Sequence, residues 1–370
     1  MLNMGELFKY PRIPNVEMAR VNIDTRDEER TLLRAGDLMF ARRSLTWEGA
    51  GKCSIVRELV EPTTWESSII RARLNRRVAV PEYFFYYFLS PQGRRQVETI
   101  IEQVAAAGIR LSELRRLEVP VPELRTQYAI ADVLGALDDK VAANEYSTGL
   151  ALMLAQAEFT QAAHSLAGRC ASFESVADIG GGGTPRTAVH DYWGGDINWA
   201  TPTDVTRLQA PYLTCTGRTI TYAGLAVCSS PIYPVGSILM TSRATIGAFA
   251  IAKVPLAVNQ GFIVVNARDR AYQWWLFHEM RARVDDFLSH ANGATFLELP
   301  RGKFKKLNLR VPTAEQAGSF SSRVEPLHDM ASQLMEETAI LARTRDELLP
   351  LLMSGQIRVR DAEKVVEEVA

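Results

Sequence analysis

Cysteine and histidine are scarce, with 4 and 5 among 370 residues. Cys53, Cys170, Cys215 and Cys228 show no C-x-x-C spacing, which argues against a structural zinc site and a disulfide-framed scaffold. Cysteines of this kind are expected to stay reduced, which suits a cytoplasmic protein. No run of 18 apolar residues occurs, so no membrane span is expected. The opening residues, MLNMGELFKYPRIP, lack the charged-then-apolar order of a secretory signal. An excess of either charge is missing too: 42 basic and 43 acidic residues leave a net charge of −1. A polyanion would therefore have to be met by local patches, not by the field of the whole chain. The hydrophobic content of 47% still allows substantial cores, and the length points to two domains or more.

What is present is a repeat. After the Pro-rich stop VPVP at residues 119–122, the chain runs PELRTQYAIADVLGALDDKVAAN, with Ile130, Leu134, Leu137 and Val141 spaced 4, 3, 4. That is the spacing of a coiled-coil seam. The same event recurs 190 residues later, after Val311-Pro312. There the seam runs through Phe320, Val324, Leu327, Ala331, Leu334, Thr338, Leu341, Arg345, Leu348 and Leu352. A helix from residue 123 to about 167 would reach ~60 Å at 1.5 Å per residue, well beyond a small domain's core. Gly149 is its weak point. Asn144 falls on a seam position, where it either fixes register or faces solvent.

The segments between the helices also match. Ala35-Gly36-Asp37-Leu38-Met39 corresponds to Val235-Gly236-Ser237-Ile238-Leu239, Arg43 to Arg243, and Gly51 to Gly247. SSIIRARLN corresponds to GFIVVNARD, and the aromatic helix predicted from Pro81 to that predicted from Ala271. Gly108 is aligned with Gly293. Each half thus reads as strands, an aromatic core helix, a loop and a long helix: a mixed α/β (α+β) fold, repeated in tandem. The glycine run at residues 180–183 lacks both GK[ST] and a G-x-G-x-x-G helix start, so it reads as a flexible connection and not as a phosphate loop. From residue 40 to 77, 8 basic residues stand against 4 acidic ones, and residues 301–310 hold 5 basic and no acidic residues. Clusters of this kind meet phosphates, and arginine is the usual bidentate reader of guanine. No Ser-His-Asp set, metal cluster or nucleotide-binding glycine motif suggests catalysis. The pair Asp138-Asp139 sits on a helix of alternating charge, which fits a solvated or partner-facing role.

Taken in order, GGGTPRT, YWGGDINWATPTDV, TITYAGL, PVGSILMTSRATIG, NQGF and the Gly-Ala-Thr run at residues 293–295 resemble the specificity subunit of type I restriction-modification systems. The two seam helices resemble that family's central and distal helices. The resemblance implies two target-recognition domains separated by two long helices that form an antiparallel coiled coil. The boundaries are then residues 1–122 for the first recognition domain, 123–167 for the central helix, 168–312 for the second domain, 313–355 for the distal helix and 356–370 for a C-terminal tail. It implies a non-catalytic chain that reads a split sequence in double-stranded DNA. Two methyltransferase subunits, which bind S-adenosylmethionine themselves, would dock on the helices, and a restriction and translocation subunit can join them. Arg42, Arg43, Lys52, Arg110, Arg186, Arg218, Arg243 and Lys303 are the expected DNA-facing residues. A coiled-coil scaffold that binds only proteins is the alternative; it explains the helices but not two elaborate repeated domains.

One departure stands out. The second half has about 65 residues between Ser172 and Gly236, whereas 35 precede Gly36. The part corresponding to residues 172–201 has no counterpart in the first half. Something is expected to cover the strand edge this leaves: either residues 6–24 folding back in place of the lost strand, or a second polypeptide completing the first recognition domain.

Overall fold

The 4-3 spacing produces two continuous helices of 41 residues each, Leu124–His164 and Ala314–Ser354. The structure, a computed structural model of the chain, describes residues 1–23, 28–103, 106–166, 169–293 and 297–369. Residues 25–27 of the expected solvated turn, Ala294 and Thr295 of the Gly-Ala-Thr run, and the expected boundary at residues 167–168 lie outside the described residues. Contacts divide the chain into two units, residues 1–143 with 337–370, and residues 144–336. Each unit therefore contains a segment of both long helices.

In the first unit, Ile130, Leu134 and Leu137 of the first helix pack in one cluster with Leu341, Leu348, Leu349 and Leu352 of the second. Asp138 meets Arg345, and Lys140 meets Glu337. In the second unit Phe159 packs with Phe320 and Val324, and Glu158 pairs with Arg323. Rising numbers on one helix meet falling numbers on the other, so the pairing is antiparallel. Val141, Leu327 and Leu334 are half-buried at the margins of the seam, and Asn144 is 3% exposed within it.

The first unit's recognition domain is built on a four-stranded sheet in the order Arg12–Ile13, Cys53–Val56, Leu38–Ala41, Ile69–Ala72. The first pair is parallel and the others antiparallel. The second unit repeats it as Tyr212–Leu213, Phe249–Ala252, Ile238–Thr241, Phe262–Ala267, again with only the first pair parallel, and adds Ala177–Gly180 beyond the last strand. The matched turn glycines Gly36 and Gly236 have φ of 88° and 89°, a left-handed backbone that side chains disfavour.

The start of the chain is more ordered than its sequence suggests. Residues 16–26, read as a possible strand, form none among those described. Instead Met4–Lys9 is a short helix, with the Glu6 carboxylate accepting the Asn3 N–H at 2.9 Å. Thr201 and Asp204 make the same local bond at 2.7 Å ahead of Pro202–Thr206 in the second unit. Leu2 bridges Trp65 in parallel, as Trp193–Ala200 pairs in parallel with Leu256–Val258. Leu2, Leu7 and Ile13 are fully buried, so this segment does fold back over the sheet. It does not replace the lost strand, however. Arg12–Ile13 occupies the place of Tyr212–Leu213, at the opposite edge from Ile69–Ala72.

The aromatic helix of the first unit is also not one helix. It breaks at Ser90, between Pro81–Leu89 and Pro91–Glu98, because the Pro91 ring disfavours a helical residue before it and Ser90 is extended. The Ser90 hydroxyl then caps the second piece by accepting the Gly93 N–H at 3.2 Å. Of the aromatics read as core from the sequence, Tyr83, Phe84, Tyr86 and Tyr87 are buried and Phe88 is half-buried against the same cluster; Phe85 is buried as well. The expected C-terminal tail contains a helix, Val359–Val369, whose Ala362 is buried in the first unit's core.

Candidate nucleic-acid interface

Each unit carries an arginine two residues after its central strand, set against a later antiparallel pairing. Arg43 lies opposite Gly108 in a three-stranded sheet with Glu102–Gln103. Arg243 bridges Glu298, and Asn292 bridges Glu298 in turn. Structurally, Gly108 therefore corresponds to Glu298 and not to Gly293. The arginines stand equivalent, but their surroundings differ. Arg243 forms an ion pair with Glu298 at 2.7 Å, with both side chains partly exposed. Near Arg43, Glu102 of that sheet is taken by Arg110 at 2.6 Å.

Arg42, Arg43 and Arg110 are exposed on the first unit. Lys52 is not: it is half-buried, its ammonium donating to the Phe8 carbonyl at 3.0 Å and lying 5.1 Å from the Phe8 ring. Burial lowers its pKa below the ordinary lysine value. Its evident work is to tie the N-terminal helix to the sheet.

In the second unit Arg186 and Arg218 are brought together by a residue that charge patterning does not single out. The Trp193 indole donates to the Arg186 carbonyl at 3.4 Å, and the Arg218 guanidinium lies 3.5 Å from the Trp193 ring centroid. Trp199 stands edge-on to Trp193 and is buried, so the stack is backed by a fixed ring. Lys303 is exposed on Arg301–Lys306, the helix after the Asn292–Glu298 pairing, which Phe304 anchors against Phe173 and Phe287.

The glycine run behind this surface is packed, not a loose connection. A Cβ on Gly182 would overlap the Val258 carbonyl oxygen, and one on Gly180 the Tyr233 hydroxyl. The carbonyls are used as well: Gly181 accepts from the Tyr233 hydroxyl at 2.6 Å and Gly183 from the Trp199 indole at 3.1 Å. Glycine is required here by close backbone approach.

A buried polar chain runs beneath the second recognition domain. Tyr212 Oη lies 2.8 Å from His328 Nδ1, His328 Nε2 lies 3.0 Å from His278 Nε2, and His278 Nδ1 lies 3.1 Å from Gln156 Oε1. With both imidazoles neutral, one proton order satisfies every contact: Tyr212 donates to His328, His328 to His278, and His278 to Gln156. Burial lowers both pKa values, to about 3 for His328 and about 2 for His278. The first unit has Tyr86, Asp138 and Arg345 in the matching place, with the Tyr86 hydroxyl 2.7 Å from the carboxylate. Neither chain of contacts offers a nucleophile, and the Cys53 thiol is pushed upward by full burial. Among the described residues no group of three or more His, Cys, Asp or Glu is placed to hold a metal, and no helix is long and apolar enough to cross a membrane.

Tandem α/β domains of one strand order, each packed on an antiparallel helix pair and displaying an arginine after the central strand, define a recognition protein. The profile of the type I restriction modification DNA specificity domain matches residues 13–148 and 172–339, and the chain belongs to that family. It is 33% identical over 177 residues to the type I restriction enzyme MjaIX specificity subunit of Methanocaldococcus jannaschii, an alignment covering 47% of this chain and 41% of that protein. It is 19% identical to the HindI specificity subunit of Haemophilus influenzae, over 96% of this chain and 94% of that one. The crystal structure of a type I S subunit from M. genitalium shares the fold, with a TM-score of 0.58 at 13% identity over 88% of this chain and 84% of that chain. The family's role is DNA specificity and not catalysis, and a scaffold without a DNA role is not favoured.

Proposed function

We propose that each recognition domain reads one half of a bipartite sequence in double-stranded DNA, and that the helix pair sets the gap between the halves. The observation that carries this reading is the duplicated arrangement of Arg43 and Arg243, each after a central strand and beside a later antiparallel pairing. Arg42, Arg110, Arg186, Arg218 and Lys303 would supply phosphate or base contacts around them. Two methyltransferase subunits would dock on the long helices and methylate adenine, with S-adenosylmethionine held by those subunits. A restriction and translocation subunit would join the same assembly. A second polypeptide would complete the first recognition domain at the Ile69–Ala72 edge if that edge is open in the working complex. The four cysteines suit a cytoplasmic setting.

The test is DNA binding by the chain with and without a methyltransferase subunit, over a salt series. The expected result is a selected sequence with two separated halves and an affinity that falls linearly in log–log form with salt. Binding that selects no sequence would reject the reading, and selection of one half only would support the need for a further polypeptide.

A further inference from the structure

The two recognition domains close the loop after the central strand alike but differ in its length. In both, the loop after the central strand is closed by the same bonds. Gly51 N–H donates to the Ala41 carbonyl in the first unit, and Gly247 N–H to the Thr241 carbonyl in the second. The first loop is longer by 4 residues, since Ala41 to Gly51 spans 10 positions and Thr241 to Gly247 spans 6. The extra length carries Leu45, which is 97% exposed, and Trp47, which is 37% exposed.

A long loop with an exposed leucine is ordinary when it is loose. This one is braced. The Ser44 hydroxyl accepts the Thr46 N–H at 3.1 Å, and the Thr46 hydroxyl accepts the Gly49 N–H at 3.2 Å. Arg94 donates to the Ala50 carbonyl at 2.7 Å and to the Trp47 carbonyl at 2.8 Å, and is itself held by Glu98 at 3.0 Å. Gly51, at φ of 68°, sits against Val97 with no room for a Cβ. A guanidinium and a chain of local hydrogen bonds thus hold an apolar side chain out in water, two residues from Arg43. Cations meet the DNA backbone, while apolar side chains meet thymine methyls or insert at base steps.

We propose that Leu45 makes an apolar contact with a base in the half-site read by the first unit, and that residues 45–48 are a specificity determinant of that half alone. The proposal rests on the DNA-reading function above. The probe is a pool of DNA duplexes with randomised positions, offered to the full chain in complex with its methyltransferase subunit. Wild type is compared with Leu45→Ala, Leu45→Gln and Leu45→Met. The expected result is that Ala and Gln variants lose preference at one or two positions of one half-site. They should bind the wild-type selected duplex about 10-fold more weakly. The other half-site and the salt slope should not change, because no charge is removed, and Met should restore the preference. Replacing thymine by uracil at the affected position separates a methyl contact, which weakens with the wild type, from insertion at a base step, which does not. An unchanged motif and affinity in Leu45→Ala overturns the proposal while leaving the DNA reading intact. Loss of methyltransferase assembly in that variant, with DNA preference kept, overturns it in favour of a protein contact. Failure of the wild type to select any sequence overturns the function beneath it.

Discussion

Arg345, on the second long helix, donates to the Asp138 carboxylate of the first at 2.6 Å. The Asp138 side chain is only 9% exposed and that of Arg345 28%, so the pair is largely sheltered from water. Removing Arg345 leaves the Asp138 charge buried with the Tyr86 hydroxyl as its remaining partner, whereas Arg345 without Asp138 still pairs with Asp346 at 2.7 Å. Arg345→Met is expected to lower the first unit's stability by about 3 kcal/mol, and Asp138→Asn by less. Urea unfolding of Asp138→Asn, Arg345→Met and the double variant checks this, since strict additivity would mean that the two residues do not interact.

The neutral histidine pair implies an acid limb. Both imidazoles have pKa values lowered by burial from 6.5, to about 2 and about 3. Below pH 6.5 the unfolded chain binds protons that the folded chain refuses, so stability falls as pH falls. Each imidazole contributes a slope of about 1.4 kcal/mol per pH unit between the unfolded value and its folded one. Denaturant titrations from pH 7 to pH 4 should show this loss in the wild type. A His278→Gln, His328→Phe variant should show a flatter profile, and an equally steep one would assign the acid sensitivity elsewhere.

Gly182→Ala should be severe. Its Cβ would meet a backbone carbonyl, that of Val258, which cannot rotate away as a side-chain tip can. A loss of about 1–3 kcal/mol, or failure of the second unit to fold, is expected. Gly302→Ala, with open space at the Cβ position, is the control and should be near neutral. Thermal melts of the two variants decide the matter.

Arg218→Ala should reduce DNA affinity through loss of one cation on the Trp193 platform, with the salt slope falling by about 1 if the contact is to phosphate. Arg243→Ala should instead relax preference at one position, at a cost of about 1–3 kcal/mol. Filter binding over a salt series, together with sequence selection, separates these outcomes. An Arg243→Ala variant with wild-type affinity and sequence choice would remove Arg243 from the interface.

Much of this architecture is legible in the sequence because it is periodic or repeated. The seam from Ile130 to Leu137 and from Phe320 to Leu352 needs only spacing, and the pairing of Gly36 with Gly236 needs only self-comparison. The parts that are not legible depend on partners distant in sequence. His278 and His328 lie 50 residues apart and carry no motif. The purpose of Gly182 is set by Val258, and the role of Lys52 by Phe8. The helix at Met4–Lys9 is too short for a periodic signal, and its one local cue is Asn3 followed by Glu6. Trp193 looks like a turn residue until Arg218 is seen above it. The break at Ser90 was signalled by Pro91 but masked by the apolar run before it.

The division of the chain has a consequence for its synthesis. Residues 144–336 form one unit, and residues 337–370 return to the unit begun by residues 1–143. In topological terms the second unit is an insertion within the first. A nascent chain emerging from the ribosome can close the inserted unit from contiguous residues. The interrupted unit must wait, with Ile130, Leu134 and Leu137 uncovered, until Leu341, Leu348 and Leu352 have been made. That order of completion leaves the apolar seam of the first unit uncovered the longest, and exposes it to chaperones and to competing hydrophobic helices.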